Sequence, residues 1–295
     1  MIGFRIGRHI GISDGVLRTV ANAKAMGCDI FQIFLSTPRK LLSKEREKEL
    51  LLMLGEELRR KKMMMVVHGS YTINLCHPED NSKFRTSIRT LVQDLVASSY
   101  IGSSCLGVII HMGKNIKENG LSTEQAIENY AFGLRKALKM TPSNCNIILE
   151  TGASQGSEVG SKIEGLADIY GRLSANEQKR IFFCIDTCHI WATGYDISSG
   201  IGVQRFFKEF NDKIGVNKIS CIHFNDSKTP LNSHVDRHAD IGYGFINESG
   251  LKAVAIFAKK NNIPIITETP LSAIDSKNKE VTVKSELDKI KNWVS

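Results

Sequence analysis

Short apolar runs and amphipathic stretches alternate along the chain from end to end. The runs are FRIGRH (4–9), DIFQIFL (29–35), MMMVVHG (63–69), CLGVIIH (105–111), NIILE (146–150), RIFFCID (180–186), KISCIHF (218–224) and IPIITE (263–268). Their length and their content of Ile, Val, Phe and Met read as strands. The stretches between them read as helices. Residues 13–27 open on the cap formers Ser13 and Asp14 and close on Gly27. Residues 43–61 carry charges on one face. Residues 122–138 begin with Ser122 and have Gln125 three positions on, the spacing of a capping box. Residues 247–262 precede the last strand, and 285–295 read as a closing helix. Eight alternating strand–helix units predict an α/β chain folded as a (β/α)8 TIM barrel, with a doubly wound open sheet as the alternative. No linker, repeat or low-complexity run divides the chain, so residues 1–295 are expected to form a single domain.

In a barrel of this kind, chemistry sits at the carboxyl ends of the strands. The strand ends supply His9, nothing on the second strand, then His68, His111, Glu150, Asp186, His223 and Glu268. One histidine at a strand end is ordinarily a hydrogen-bonded polar residue and no more. A ring of imidazoles and carboxylates at one mouth is different, because burying such groups unpaired costs several kcal/mol each, on the order of what a cation would restore. Two further segments add to the set. Asp186 is followed by TCHIWATG, which places His189 just past the sixth strand, and the loop HVDRHADIGYG (234–244) holds Asp236 and His238. Alternate residues of an extended segment point the same way, so these two can grip one ion. So many ligands exceed one tetrahedral zinc and suffice for two or three ions, and the imidazole–carboxylate mix suits zinc first and manganese second.

Composition narrows the setting. With 42% hydrophobic and 24% charged residues among 295, the chain is globular in character. It has no apolar run long enough to span a membrane, and its first residues are too short and interrupted for a signal peptide. Seven cysteines without framework spacing point to free thiols and an intracellular, reducing compartment. The net charge of +8 suits a polyanionic partner.

The segments VVHGSYTINLCHP, VIIHMG, ILETGASQGSEVG, CIDTCHIWATGYD, HFNDSK and VDRHADIGYG resemble the signatures of the endonuclease IV family of apurinic/apyrimidinic DNA endonucleases, in order and over nearly the whole chain. The resemblance implies a zinc-dependent barrel of base-excision repair, expected to act as a monomer on duplex DNA containing abasic sites. It implies three zinc ions, with manganese as an alternative at one or more sites. His68, His111 and Glu150 would hold the first. Glu150 would bridge to a second, held also by Asp186, His223 and Glu268. His189, Asp236 and His238 would hold the third. Glu150 and Glu268 would be catalytic, aiming water at the phosphorus. Cleavage 5′ to the lesion would leave a 3′-hydroxyl and a 5′-deoxyribose phosphate, with 3′-phosphodiesterase activity alongside. The loops STPRK and HGSYT would enter the DNA, with Arg39 and Tyr71 matching the family. Thr72 departs from it, standing where a bulkier aliphatic residue is often found.

Other residues read more plainly. Cys184 and Cys188 flank Asp186, and the strand-core reading suits Cys184 better than thiolate ligation. His9 is expected beside the site without binding metal. His77 would shape the third loop, and His234 would face solvent or a phosphate. Arg237 would meet either a DNA phosphate or a carboxylate. Met63, Met64 and Met65 read as core. Two other functions fit parts of the pattern: a metal-dependent sugar isomerase or epimerase, and a protein that binds lesions without cutting. The former has no evident need for His189, Asp236 and His238. The latter would not require Glu150 or Glu268.

Overall fold

Strands β1 (Ile6–His9), β2 (Ile30–Phe34), β3 (Met64–His68), β4 (Cys105–Ile110), β5 (Ile147–Glu150), β6 (Ile181–Asp186), β7 (Ile219–His223) and β10 (Ile265–Thr267) close into one barrel in that order. Every neighbouring pair is parallel, including the closing pair β10 and β1. The closed ring excludes the open-sheet alternative. The computed structural model describes residues 4–42, 45–274 and 278–295. Two short strands, β8 (Asp226–Ser227) and β9 (His238–Ala239), form an antiparallel ladder in the connection after β7.

The helices are α1 (Arg18–Ala25), α2 (Lys48–Lys61), α3 (Ser82–Ile101), α4 (Thr123–Lys139), α5 (Ile163–Gly171), α6 (Ala175–Gln178), α7 (Thr187–Ala192), α8 (Gly200–Lys213), α9 (Glu248–Lys260) and α10 (Val283–Val294). Ser122 and Gln125 form the expected capping box on α4. Ser13 and Asp14 do not cap α1: Gly15 takes φ +94° and turns the chain, so the helix begins at Arg18 with no side-chain cap. The start expected at residue 43 for α2 lies partly outside the described residues, since 43 and 44 are not described. The helix itself begins at Lys48, after Glu47 in extended conformation.

Parity along the strands decides what meets the site. Ile30, Val66, Leu106, Ile109, Ile148, Cys184, Cys221 and Ile266 pack together as a small cluster inside the barrel. Residues of the opposite parity, such as Phe31, Ile33, Met65, Val67, Val108, Leu149, Phe183 and Ile222, belong to the larger core between barrel and helices. Both faces are therefore buried, which is why the strands read as continuous apolar runs rather than alternating ones. Side chains repeat their direction every second residue. One step past the interior cluster on the same face come His68, His111, Glu150, Asp186, His223 and Glu268. The apolar plug thus forms the floor on which the polar ring stands. Cys184 belongs to that floor and does not ligate, and Met63 and Met65 are buried core.

Candidate metal centre and active site

The structure brings the nine proposed ligands together in three groups whose donor atoms lie within 4.8 Å of one another: His68, His111 and Glu150; Glu150, Asp186, His223 and Glu268; and His189, Asp236 and His238. A fourth grouping of Asp186, Cys188 and His238 overlaps them. Burial pushes the Cys188 thiol up to about 12, so it is neutral and a poor ligand as it stands.

Glu150 is at the centre. Its Oε2 lies 3.4 Å from His68 Nε2 and 3.3 Å from His111 Nδ1, and its Oε1 lies 2.8 Å from His223 Nδ1. It is 1% exposed. Asp236 joins the third group, with Oδ2 3.2 Å from His189 Nε2 and Oδ1 3.1 Å from His238 Nε2. The ladder pairing β8 with β9 fixes His238 opposite Ser227. Helix α7 opens directly after β6, with Asp186 Oδ1 accepting from the His189 backbone N–H at 3.0 Å, so the DTCH segment presents both Asp186 and His189 to the same space.

The electrostatics couple the imidazoles to the carboxylates. Burial pushes the His223 imidazole down, but the Glu268 and Glu150 carboxylates outweigh it and lift it to about 10. Burial likewise opposes charge on His238, and Asp186 and Asp236 raise it to about 9. The carboxyl of Glu268 is opposed by burial and brought down to about 2, chiefly by His223. Asp236 is held well below the usual range because His189 and His238 outweigh its burial. His111 goes the other way, lowered to about 4 by burial. In the ion-free protein, protons on imidazoles balance the carboxylates, a task divalent cations would take over.

Two observations test whether this set fits metal ions. Buried nitrogens and oxygens without a hydrogen-bond partner converge here: His111 Nε2, Glu150 Oε2, His189 Nε2 and His238 Nε2. Such orphans are costly unless something absent from the protein satisfies them. The remote ring nitrogens are also fixed as metal-binding histidines require. His68 Nδ1 donates to the Gly69 carbonyl at 2.8 Å and His189 Nδ1 to the Thr151 carbonyl at 2.7 Å. Each leaves Nε2 with a lone pair facing the site. The donor set of imidazoles and carboxylates fits zinc or manganese better than magnesium.

Sequence reading missed two residues that organise this ring. Asn225 donates to Asp186 Oδ2 at 2.8 Å and accepts the Glu268 backbone N–H at 2.8 Å, tying β6 to the end of β10. Gln32, on a strand that contributes no ligand, is wholly buried among His9, His223 and Glu268. His9 sits beside the ring as expected, its Nδ1 3.0 Å from Gln32 Nε2.

Around the mouth, Arg39, Tyr71, Thr72 and Arg237 are all exposed. The Tyr71 ring is 5.3 Å from the His68 and His111 rings and 5.2 Å from Phe34, so it roofs the first group. Its loop is tied to the Arg39 loop, since the Tyr71 N–H and the Ser70 hydroxyl both donate to the Pro38 carbonyl. Thr72 Oγ1 lies 2.8 Å from Ser70 Oγ. Arg237 donates to the Asp236 carbonyl at 2.7 Å. His77 is buried against Asn119 and Asn74, shaping its loop, and His234 is exposed. Asp240, in the same connection, accepts three backbone N–H groups from Leu271, Ser272 and Ala273 and holds the segment after β10. A cleft of about 420 Å³ opens beside the ring, with His111, His189 and Asp236 on its wall and Tyr71 and Asn74 at its edge.

A family model described as the xylose isomerase-like TIM barrel matches residues 20–293. The putative endonuclease 4 of Acanthamoeba polyphaga mimivirus is 60% identical over 291 residues, covering 98% of this chain and 93% of that protein. The chain belongs to the endonuclease IV family. Apurinic-apyrimidinic endonuclease 1 of Saccharomyces cerevisiae is 32% identical over 97% of the chain and 76% of its own length. Endonuclease IV of Thermus thermophilus superposes with a TM-score of 0.78 at 27% identity, covering 98% of both chains. A D-tagatose 3-epimerase-like protein also superposes, at TM-score 0.70, but with 14% identity it shares the fold alone. Membership of the endonuclease IV family supports a nuclease over the isomerase and the non-cutting binder. Among the described residues no helix is long and apolar enough to cross a membrane.

Proposed function

We propose that the chain hydrolyses the phosphodiester bond 5′ to abasic sites in duplex DNA, using three divalent ions, zinc foremost. The observation that carries this reading is the convergence of nine side chains into three adjoining donor groups with orphaned lone pairs, in a chain of the endonuclease IV family. Divalent cations held by these groups would supply the Lewis acidity that yields hydroxide at neutral pH and neutralises charge on phosphate oxygens.

The protein's own residues divide the remaining work. Glu268, whose Oε1 accepts from Gln32 and whose Oε2 stays 3.3 Å from His223 Nδ1, is positioned to orient a water by accepting its proton. Glu150 holds the first and second groups together. Asp236, at 36% side-chain exposure, lines the cleft and is suited to the leaving-oxygen side. Tyr71 and Arg39, on loops joined through Pro38, would enter the gap that a missing base leaves. Extruding an abasic nucleotide costs less than extruding an intact one, which favours the lesion. Lysines and arginines of a chain carrying net charge +8 would hold flanking phosphates. The products would be a 3′-hydroxyl and a 5′-deoxyribose phosphate, and the same groups would serve a 3′-phosphodiesterase activity.

Incubation with an end-labelled duplex bearing one abasic site tests this. A nick 5′ to the lesion, absent from the undamaged duplex, is the expected result. A mobility shift without a nick would leave only binding, and the absence of both effects would refute the reading.

A further inference from the structure

We propose that Gln32 is a positioning residue of the metal centre, fixing His223 to coordinate through Nδ1 while holding the Glu268 carboxylate in place. The inference rests on the metal-dependent reading above and concerns a residue outside all three donor groups.

Gln32 lies in the middle of β2, two residues after Ile30 of the barrel's interior cluster, so its side chain shares the face that carries the ligands. It is fully buried. Its carboxamide makes three contacts: Nε2 is 2.6 Å from Glu268 Oε1 and 3.0 Å from His9 Nδ1, and Oε1 is 2.7 Å from His223 Nε2. Chemistry allows only one orientation of the amide. A carboxylate only accepts, so the NH2 group must face Glu268, and the carbonyl oxygen must then face His223. An amide oxygen only accepts, so His223 Nε2 must carry a proton. The nitrogen left for a cation is Nδ1, which faces Glu150 Oε1 at 2.8 Å, Glu268 Oε2 at 3.3 Å and Asp186 Oδ2 at 3.8 Å. His68 and His189 are fixed in the opposite sense, with backbone carbonyls holding Nδ1 and leaving Nε2 for the site. For His223 no backbone carbonyl plays this part, and a side chain from across the barrel does.

The second amide hydrogen points at His9 Nδ1. That nitrogen lies 3.0 Å from Gln32 Nε2 and accepts the hydrogen. Gln32 therefore ties two strands, β1 and β7, and the segment after β10 to one rigid amide. Groups that orient a metal-binding histidine in this way typically contribute roughly 10- to 100-fold to metal affinity.

The test has two arms. In the first, the full-length protein is loaded with cadmium-113, and imidazole nitrogen couplings to the metal are read by NMR. The expected pattern is coupling through Nδ1 for His223 and through Nε2 for His68 and His189. Coupling of His223 through Nε2, or no bound metal at all, overturns the proposal. In the second, zinc affinity of Gln32→Met is measured by chelator competition alongside the melting temperature of the ion-free protein. The expected result is a loss of roughly 10- to 100-fold at the second group. Wild-type affinity overturns the proposal, and so does a loss that is fully accounted for by unfolding while the NMR pattern differs from the one expected. Neither arm uses DNA cleavage. A protein showing the expected couplings but no nick at abasic sites would refute the hydrolase reading and leave the role of Gln32 standing.

Discussion

Glu150→Gln is the sharpest perturbation of the centre, because one carboxylate belongs to two of the three groups. The change keeps the volume of a side chain that is 1% exposed, so packing around it is preserved. What changes is charge. Three imidazole nitrogens lie 2.8 to 3.4 Å from its two oxygens. At an effective dielectric of 20, a full charge pair at this separation interacts by about 5 kcal/mol, an upper bound that desolvation reduces. In the ion-free protein His223 can relieve much of the loss by giving up its proton, so the variant should fold, with His223 titrating well below the wild type. With ions, the loss is not recoverable. The first and second groups lose a shared anionic ligand, while His189, Asp236 and His238 are untouched. Metal analysis after dialysis should therefore fall from about three ions per chain towards one, following the three groups. Cleavage of abasic duplex under saturating substrate should fall at least roughly 10³-fold, comparable with loss of a major transition-state stabiliser. A variant that kept three ions, or cut within about tenfold of wild type, would refute the assignment of Glu150 as the bridge.

Proton–metal competition gives a second expectation. His223 at about 10 and His238 at about 9 stabilise the ion-free fold while charged, fully below their unfolded value and progressively less as pH rises through those figures. The ion-free melting temperature should fall from about pH 6.5 to about pH 10, while the increment added by zinc grows over the same range, and calorimetry in buffers of different ionisation enthalpy should show proton release on binding. Third, Arg39→Ala and Tyr71→Ala should weaken binding to abasic duplex much more than to undamaged duplex, with a change in salt slope of at most about one counterion for the arginine and none for the tyrosine; parallel losses on both duplexes in a titration would remove the wedge. Fourth, Asp226 accepts backbone N–H groups from Ser227, Gly242, Gly244 and Ile246, so Asp226→Ala should cost about 3 kcal/mol or more in urea unfolding and loosen the loop that carries Asp236 and His238.

The barrel was legible because parallel strands buried on both faces leave continuous apolar runs, and each run ended near a residue that projects into the mouth. Reading the last residue of each expected strand gives His9, His68, His111, Glu150, Asp186, His223 and Glu268, and it finds nothing on β2. That strand ends on Phe34, and its contribution comes from Gln32 two residues earlier. The signal was present in the parity, since Gln32 follows Ile30 as His68 follows Val66, but an amide is not a metal ligand and a search for ligands passes over it. Asn225 escaped for the same reason. The helix start at Ser13 and Asp14 failed differently. Good capping residues were present, but Gly15 turned the chain before the helix could begin. For Arg237 the two expected partners could not be told apart from sequence, because the choice depends on loop geometry; its guanidinium donates to the Asp236 carbonyl.

Titrating zinc into fully chelated protein, with abasic-duplex cleavage followed at each addition, tests the central claim of a three-ion phosphodiesterase most directly. Cleavage 5′ to the lesion should appear steeply as the last of about three equivalents binds, and the nicked product should be extended by a polymerase from its 3′ end. Full activity with a single equivalent, or activity that requires millimolar magnesium and ignores zinc, would contradict it.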